Sequence, residues 1–173
     1  MARKAILVID MLNDFVDPRG ALYCGESARA IIPAVRRLME DFSRQGDLIV
    51  VVKDAHRDDD PEFRMFPPHA VRGTWGAAVI PELPVPQDAV VVEKTRYSAF
   101  FGTPLENILK EYAPDEVWVV GVCTSICVMD TVGDLRNRDY PVVVPSEAVA
   151  DFDPEFHAFA LKRMERVYGA AVR

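Results

Sequence analysis

Basic runs, long apolar stretches and cysteines are what this 173-residue sequence has least of, and each scarcity narrows the reading. No Lys/Arg-rich segment stands out, and the formal net charge is −7, with 27 acidic against 20 basic side chains. A polyanion such as nucleic acid is therefore not expected as a partner. No apolar stretch approaches the ~20 residues needed to span a bilayer. The start, MARKAILVIDMLNDF, joins two basic residues to an apolar run, but Asp10, Asn13 and Asp14 interrupt it too early for a secretory leader. The expectation is a cytoplasmic protein with no membrane contact. Three cysteines, Cys24, Cys123 and Cys127, are too few and of the wrong parity for a disulfide framework, which leaves a reactive thiol as the natural reading. Repeats, low-complexity tracts and linkers are also missing, so residues 1–173 are expected to form one domain.

What is present is a rhythm. Runs dominated by Val and Ile recur at Ala5–Ile9, Leu48–Val52, Ala89–Val92, Val117–Val120 and Pro141–Val144. They barely alternate with polar residues, as expected of strands buried on both faces. Helical patterns fall between them. Ser27 to Gln45 carries Ile31, Ile32, Val35, Leu38, Met39 and Phe42 on one stripe and ends at Gly46. Thr103-Pro104-Leu105-Glu106 reads as a capping box opening a helix to about Tyr112. A third helix is expected from about Ser125 to Asn137. A fourth follows Asp153-Pro154 and carries Phe156, Phe159, Met164 and Val167, with His157 exposed and structural. The βαβα order predicts a three-layer α/β/α fold, doubly wound on a mostly parallel sheet.

Ligands in such sheets bind beyond the carboxyl ends of the strands. Asp10 follows the first run, Asp54 and His56 the second, Glu93 and Lys94 the third, and Gly121 to Cys127 the fourth. Cys127 falls in the first turn of a helix, whose positive end favours a thiolate. Thr124 or Ser125 is placed to cap that helix, and free backbone N–H groups there suit an oxyanion. A small core position suits Cys127 equally well, and packing is the expected role of Cys123. Asp10, at the end of a buried strand, needs a partner that Lys94 can supply. The pair is either a structural ion pair or a general base with its cation. Cys24 is assigned no role.

The segment from Asp54 to Gly73 holds three prolines, no periodicity and two of the three histidines. Loops this long in compact domains are usually functional or disordered. Asp54 and His56 share a side of an extended chain, and His69 follows the stiff Pro67-Pro68. Two imidazoles and a carboxylate suit zinc, iron or manganese with open positions, and Glu62 is a further oxygen donor. Polar loop residues in contact with water would look the same.

Together these segments resemble the nicotinamidase branch of the isochorismatase-like cysteine hydrolases. The resemblance rests on Val8-Ile9-Asp10 with Asn13-Asp14-Phe15, Asp54-x-His56, Phe66-Pro67-Pro68-His69 with Gly73-Thr74, Glu93 to Phe100, and Gly121-Val122-Cys123-Thr124-x-x-Cys127. It implies that Cys127 is the nucleophile, Asp10 the acid/base and Lys94 their partner. It also implies a cis peptide between Val122 and Cys123, with the N–H groups of Cys123 and Cys127 forming an oxyanion hole. Asp54, His56 and His69, with Glu62, match the ligands of one divalent metal ion, and Phe15, Phe66 and Tyr97 match positions enclosing the substrate ring. Many members carry tryptophan where this chain has Phe66. Relatives acting on isochorismate or carbamoyl compounds generally lack the Asp54-x-His56…His69 set. The resemblance implies a small amide as substrate, with nicotinamide first, and a homo-oligomer.

Overall fold

The computed structural model describes residues 2–173. Five strands form where the Val/Ile runs lie: β1 (Lys4–Ile9), β2 (Leu48–Asp54), β3 (Val90–Lys94), β4 (Glu116–Val122) and β5 (Val142–Val144). Two short strands, β6 (Val149–Ala150) and β7 (Ala171–Val172), are additions that no sequence pattern announced. All pair in parallel, in the order β3-β2-β1-β4-β5-β7, with β6 on β4.

Alternate residues of each inner strand feed two separate cores. On one face Ile6, Val8, Ile49 and Val51 pack with Val35, Met39 and Phe42 of the helix Ile32–Gln45. On the other, Ala5, Leu7, Ile9, Val50 and Val52 pack with Leu105, Leu109, Val132, Leu135, Ala160 and Met164. Burial on both sides is why the strands read as continuous apolar runs. The result is the expected three-layer α/β/α arrangement.

The helices are α1 (Asn13–Val16), α2 (Glu26–Ala30), α3 (Ile32–Gln45), α4 (Leu105–Tyr112), α5 (Met129–Arg136) and α6 (Pro154–Arg166). Several depart from the sequence expectation. The single helix from Ser27 divides at Ile31, because Pro33 at the start of α3 has no N–H and crowds the preceding turn. Gly46 ends α3 in the left-handed conformation (φ 72°), as anticipated. The capping box before α4 is half formed. Thr103 Oγ1 accepts from Leu105 N at 3.3 Å, but Glu106 turns to Lys110 and Arg138 instead. The third helix opens not as an α-turn but as a π-turn, Thr124–Val128. In α6 only Ala160 and Met164 are buried, while Phe156, Phe159 and the following Val167 face outward. His157 is half-buried rather than exposed, with Nδ1 2.9 Å from Thr124 Oγ1. Among the described residues, no helix is long and apolar enough to cross a membrane.

β1 is the hinge of the topology. The chain steps from it to β2 and β3 on one side, then returns to β4 on the other. The crevice where strand order reverses lies beyond the carboxyl ends of β1 and β4. Asp10 leaves β1 into that crevice, and Cys123 to Cys127 leave β4 into it.

Candidate active site

Register brings the first three groups together. Asp54 and Lys94 are direct neighbours at the ends of β2 and β3. Asp10, one residue past β1, adopts φ 52°, and its N–H reaches Val52 O at 2.9 Å. Asp10 Oδ1 accepts from Asp54 N at 2.8 Å, which fixes the carboxylate. Lys94 Nζ lies 2.9 Å from Asp10 Oδ2, 2.5 Å from Asp54 Oδ1, 3.0 Å from Arg96 O and 3.4 Å from Cys127 Sγ. The Asp10 contact is an ion pair without hydrogen-bond alignment, so Oδ2 keeps lone-pair capacity. All four side chains are buried. Asp10, Asp54 and Cys127 place one polar atom each within 4.8 Å of one another.

Burial without enough compensation tunes these groups. Burial, then the Asp54 charge, raises the Asp10 carboxyl to about 6 despite Lys94. Burial acts against the Lys94 charge, but Asp10, Cys127 and Asp54 outweigh it and hold the ammonium well above its ordinary value. Burial likewise opposes Asp54 ionisation, and Lys94 and His56 overcome it, so that carboxyl is lowered. Cys127 goes the other way. Burial first, with Asp10 and Asp54, pushes its thiol well above the usual cysteine range against the pull of Lys94. Burial and the two carboxylates thus work against the thiolate that the helix end was expected to favour. Thr124 and Ser125 do not cap that turn with their side chains. Thr124 Oγ1 meets His157, and Ser125 N donates to Asp151 Oδ2 at 2.7 Å.

The peptide between Val122 and Cys123 is cis, and Gly121 before it adopts φ 113°. A Cβ on Gly121 would stand 2.0 Å from Ile9 O, so only glycine lets β4 approach β1 here. Cys123 O then accepts from the N–H groups of both Ile126 and Val128, at 3.1 and 3.2 Å. The Cys127 N–H lies between these two and outside that set.

The irregular segment folds back on itself. His56 N donates to Ala70 O and Arg72 N donates to His56 O, both at 2.9 Å, which brings the two imidazoles to a centroid separation of 4.8 Å. Ligand atoms of Asp54, His56 and His69 lie within 4.8 Å of one another, and those of His56, Asp60 and Glu62 form a second such group. His69 Nδ1 sits 2.8 Å from Pro67 O, an acceptor only, so Nδ1 donates there and Nε2 is the ring nitrogen left facing the cluster. His56 Nδ1 is 3.0 Å from Asp60 Oδ2, while the buried His56 Nε2 has no hydrogen-bond partner. Burial opposes a charge on His56, yet Asp54 and Asp60 raise it to about 9. A buried imidazole nitrogen without a partner, facing carboxylates and a second imidazole, is a donor set that fits a divalent cation. Glu62 Oε1 lies 3.7 Å from His69 Nε2, and burial raises its carboxyl.

Asp60 is a participant that sequence reasoning missed. It also accepts from Glu62 N and from Arg96 Nη1, and despite burial those contacts lower it to about 2. Its only signal is a carboxylate four residues after His56. A cavity of about 350 Å³ joins the two clusters, lined by Asp10, Cys123 and Cys127 as well as Asp54, Glu62 and His69. Phe15, Phe66 and Tyr97 line it too, as does the unanticipated Cys24.

Known proteins match this chain and its fold closely. The isochorismatase domain matches residues 4–173. A crystal structure of nicotinamidase/pyrazinamidase from Bacillus subtilis superposes with TM-score 0.94 at 40% identity, covering 98% of each chain. N-carbamoylsarcosine amidase from Thermoplasma acidophilum gives 0.89 at 36% identity, over 99% of this chain and 95% of that one. Pyrazinamidase of Pyrococcus horikoshii in complex with zinc gives 0.93 at 33% identity, over 99% and 98%. The fold, the strand-end cluster and these similarities agree that the chain belongs to the isochorismatase family.

Proposed function

We propose that the protein is a nicotinamidase, a cysteine amidohydrolase converting nicotinamide to nicotinate and ammonia. One observation carries the reading. Cys127 and Asp10, with Lys94 beside both, meet at a cavity whose wall also holds Asp54, Glu62 and His69. Similarity to nicotinamidases and pyrazinamidases supports the substrate class.

Phe15, Phe66 and Tyr97 enclose the aromatic ring and present its carboxamide to Cys127. Asp10 takes the Cys127 proton as the sulfur attacks the carboxamide carbon, and Lys94 stabilises the developing thiolate. The N–H groups of Cys123 and Cys127 receive the oxyanion. Asp10 then passes its proton to the departing ammonia, leaving a thioester on Cys127. With Asp10 again as base, water hydrolyses that thioester and frees nicotinate. Asp54, His56 and His69, with Glu62, would hold one divalent ion, zinc in this reading, with iron or manganese as alternatives. When bound, that ion supplies a Lewis acid able to orient a ring nitrogen or polarise water. A cytoplasmic homo-oligomer serving pyridine-nucleotide salvage completes the proposal.

The Cys127→Ala variant is expected to lose ammonia release from nicotinamide while keeping its thermal unfolding transition. Normal turnover by that variant would end the nucleophile assignment. The likeness to a carbamoyl amidase supports a second reading, hydrolysis of a carbamoyl compound or another small amide. Ammonia release from each substrate, with and without chelator, separates the two. Preference for the carbamoyl compound, unchanged by chelator, would select the second.

A further inference from the structure

Two sulfurs outside the reaction face each other across the fold. Cys24 Sγ lies 3.2 Å from Cys123 Sγ, although the residues are 99 apart in the chain. Both are free, both are buried, and both line the cavity that holds Cys127. The other contact of Cys24 Sγ is Leu22 O at 3.5 Å.

Each thiol is fastened to a different wall of the site. Cys24 ends the loop between α1 and α2, with its N–H held by Phe15 O at 2.8 Å. Ala21, Leu22 and Tyr23 of the same loop line the cavity. Cys123 heads the turn that aims Cys127, since its carbonyl accepts from Ile126 and Val128. The Cys24 contact and then burial hold the Cys123 thiol well above the ordinary cysteine range.

We infer that Cys24 and Cys123 are a latent disulfide, closed by a small-molecule disulfide entering through the substrate cavity, and that its closure shuts the site. One thiol gives up its proton and attacks the oxidant R–S–S–R, forming a mixed disulfide and releasing R–S⁻, which takes up a proton. The second thiol displaces the remaining R–S⁻, which also gains a proton. The protein loses two hydrogens and two electrons, and the oxidant becomes two R–SH. Bonded sulfurs stand about 2.0 Å apart, so the pair must close by about 1.2 Å. That movement draws the loop wall and the Cys123 turn together, displacing the N–H groups and the sulfur of Cys127.

Wild type, Cys127→Ser and Cys24→Ser are incubated with oxidised glutathione at pH 8.5 and mapped as non-reduced peptides by mass spectrometry. The Cys24 and Cys123 peptides are expected to be linked in wild type and in Cys127→Ser, to separate on reduction, and to stay unlinked in Cys24→Ser. The cross-link does not depend on which amide is hydrolysed; only the activity readout rests on the proposed function. In wild type, turnover of nicotinamide should fall in proportion to the cross-linked fraction and return with reductant. Three free thiols after incubation, or a Cys123–Cys127 link instead, would overturn the pair. Full activity in cross-linked protein, or a loss that follows a mixed disulfide on Cys127, would overturn the closure.

Discussion

Lys94 is the buried cation that faces two carboxylates and a thiol at once, and replacing it with methionine tests that electrostatic picture. The side chain is buried, with Nζ 2.9 Å from Asp10 and 2.5 Å from Asp54. Methionine keeps most of the volume and removes the charge. Breaking a buried ion pair from one side costs about 3–5 kcal/mol, because the partner is left uncompensated, and here two partners remain. At roughly 2–4 °C per kcal/mol for a chain this long, the melting temperature should fall by about 6–20 °C. The loss should also depend on pH. Asp10 already titrates near 6, above its ordinary 3.8, and without Lys94 both carboxyls move higher. A group whose folded pKa is raised binds its proton more tightly in the native state, so stability falls as pH rises from about 4 through the folded value. Metal-stripped Lys94→Met should therefore trail wild type more at pH 8 than at pH 5 in calorimetric melts. A melt within 1–2 °C of wild type at pH 8, or equal losses at both pH values, would refute the reasoning.

With Asp10 as base, kcat/KM for nicotinamide should climb with pH through a midpoint near 6, because the protonated carboxyl cannot accept the Cys127 proton. A midpoint at the ordinary carboxylate value would contradict this. Asp60→Asn, which disturbs the group holding His56 Nδ1, should weaken zinc binding by about 10–100-fold in competition with a chelating dye, and unchanged affinity would remove Asp60 from the site. Gly121→Ala should lower stability by at least about 1–3 kcal/mol in urea, since the new Cβ meets Ile9 O in a conformation side chains avoid. A neutral result would show that the β1–β4 approach is not tight.

The alternation of Val/Ile runs with amphipathic stretches was enough to read strands β1 to β5 and the layering, with boundaries shifted by a residue or two. Strands that bury both faces leave no choice of residue, so their signal is strong. β6 and β7, two residues each, are too short for any pattern to register. The division at Ile31 was written in Pro33 but outvoted by the apolar stripe around it. The exposed Phe156 and Phe159 misled in the other direction, because aromatic residues on a helix suggest burial and only packing decides which stripe is covered. In the site, Asp10, Asp54, Lys94 and Cys127 were legible as strand-end residues, whereas Asp60 was hidden in an acidic run of the Asp54–Gly73 segment. Cys24 had no signal at all, since its partner is 99 residues away.

By itself, then, the order of residues determined the layered parallel architecture and which chemical groups lie on its carboxyl rim, because hydrophobic periodicity and strand ends are local properties. Only the folded chain decided that Asp54 serves both Lys94 and His56, that two carboxylates crowd the Cys127 thiol, and that Cys24 meets Cys123. Those outcomes depend on distance and on burial, and both come from packing segments that the sequence keeps far apart.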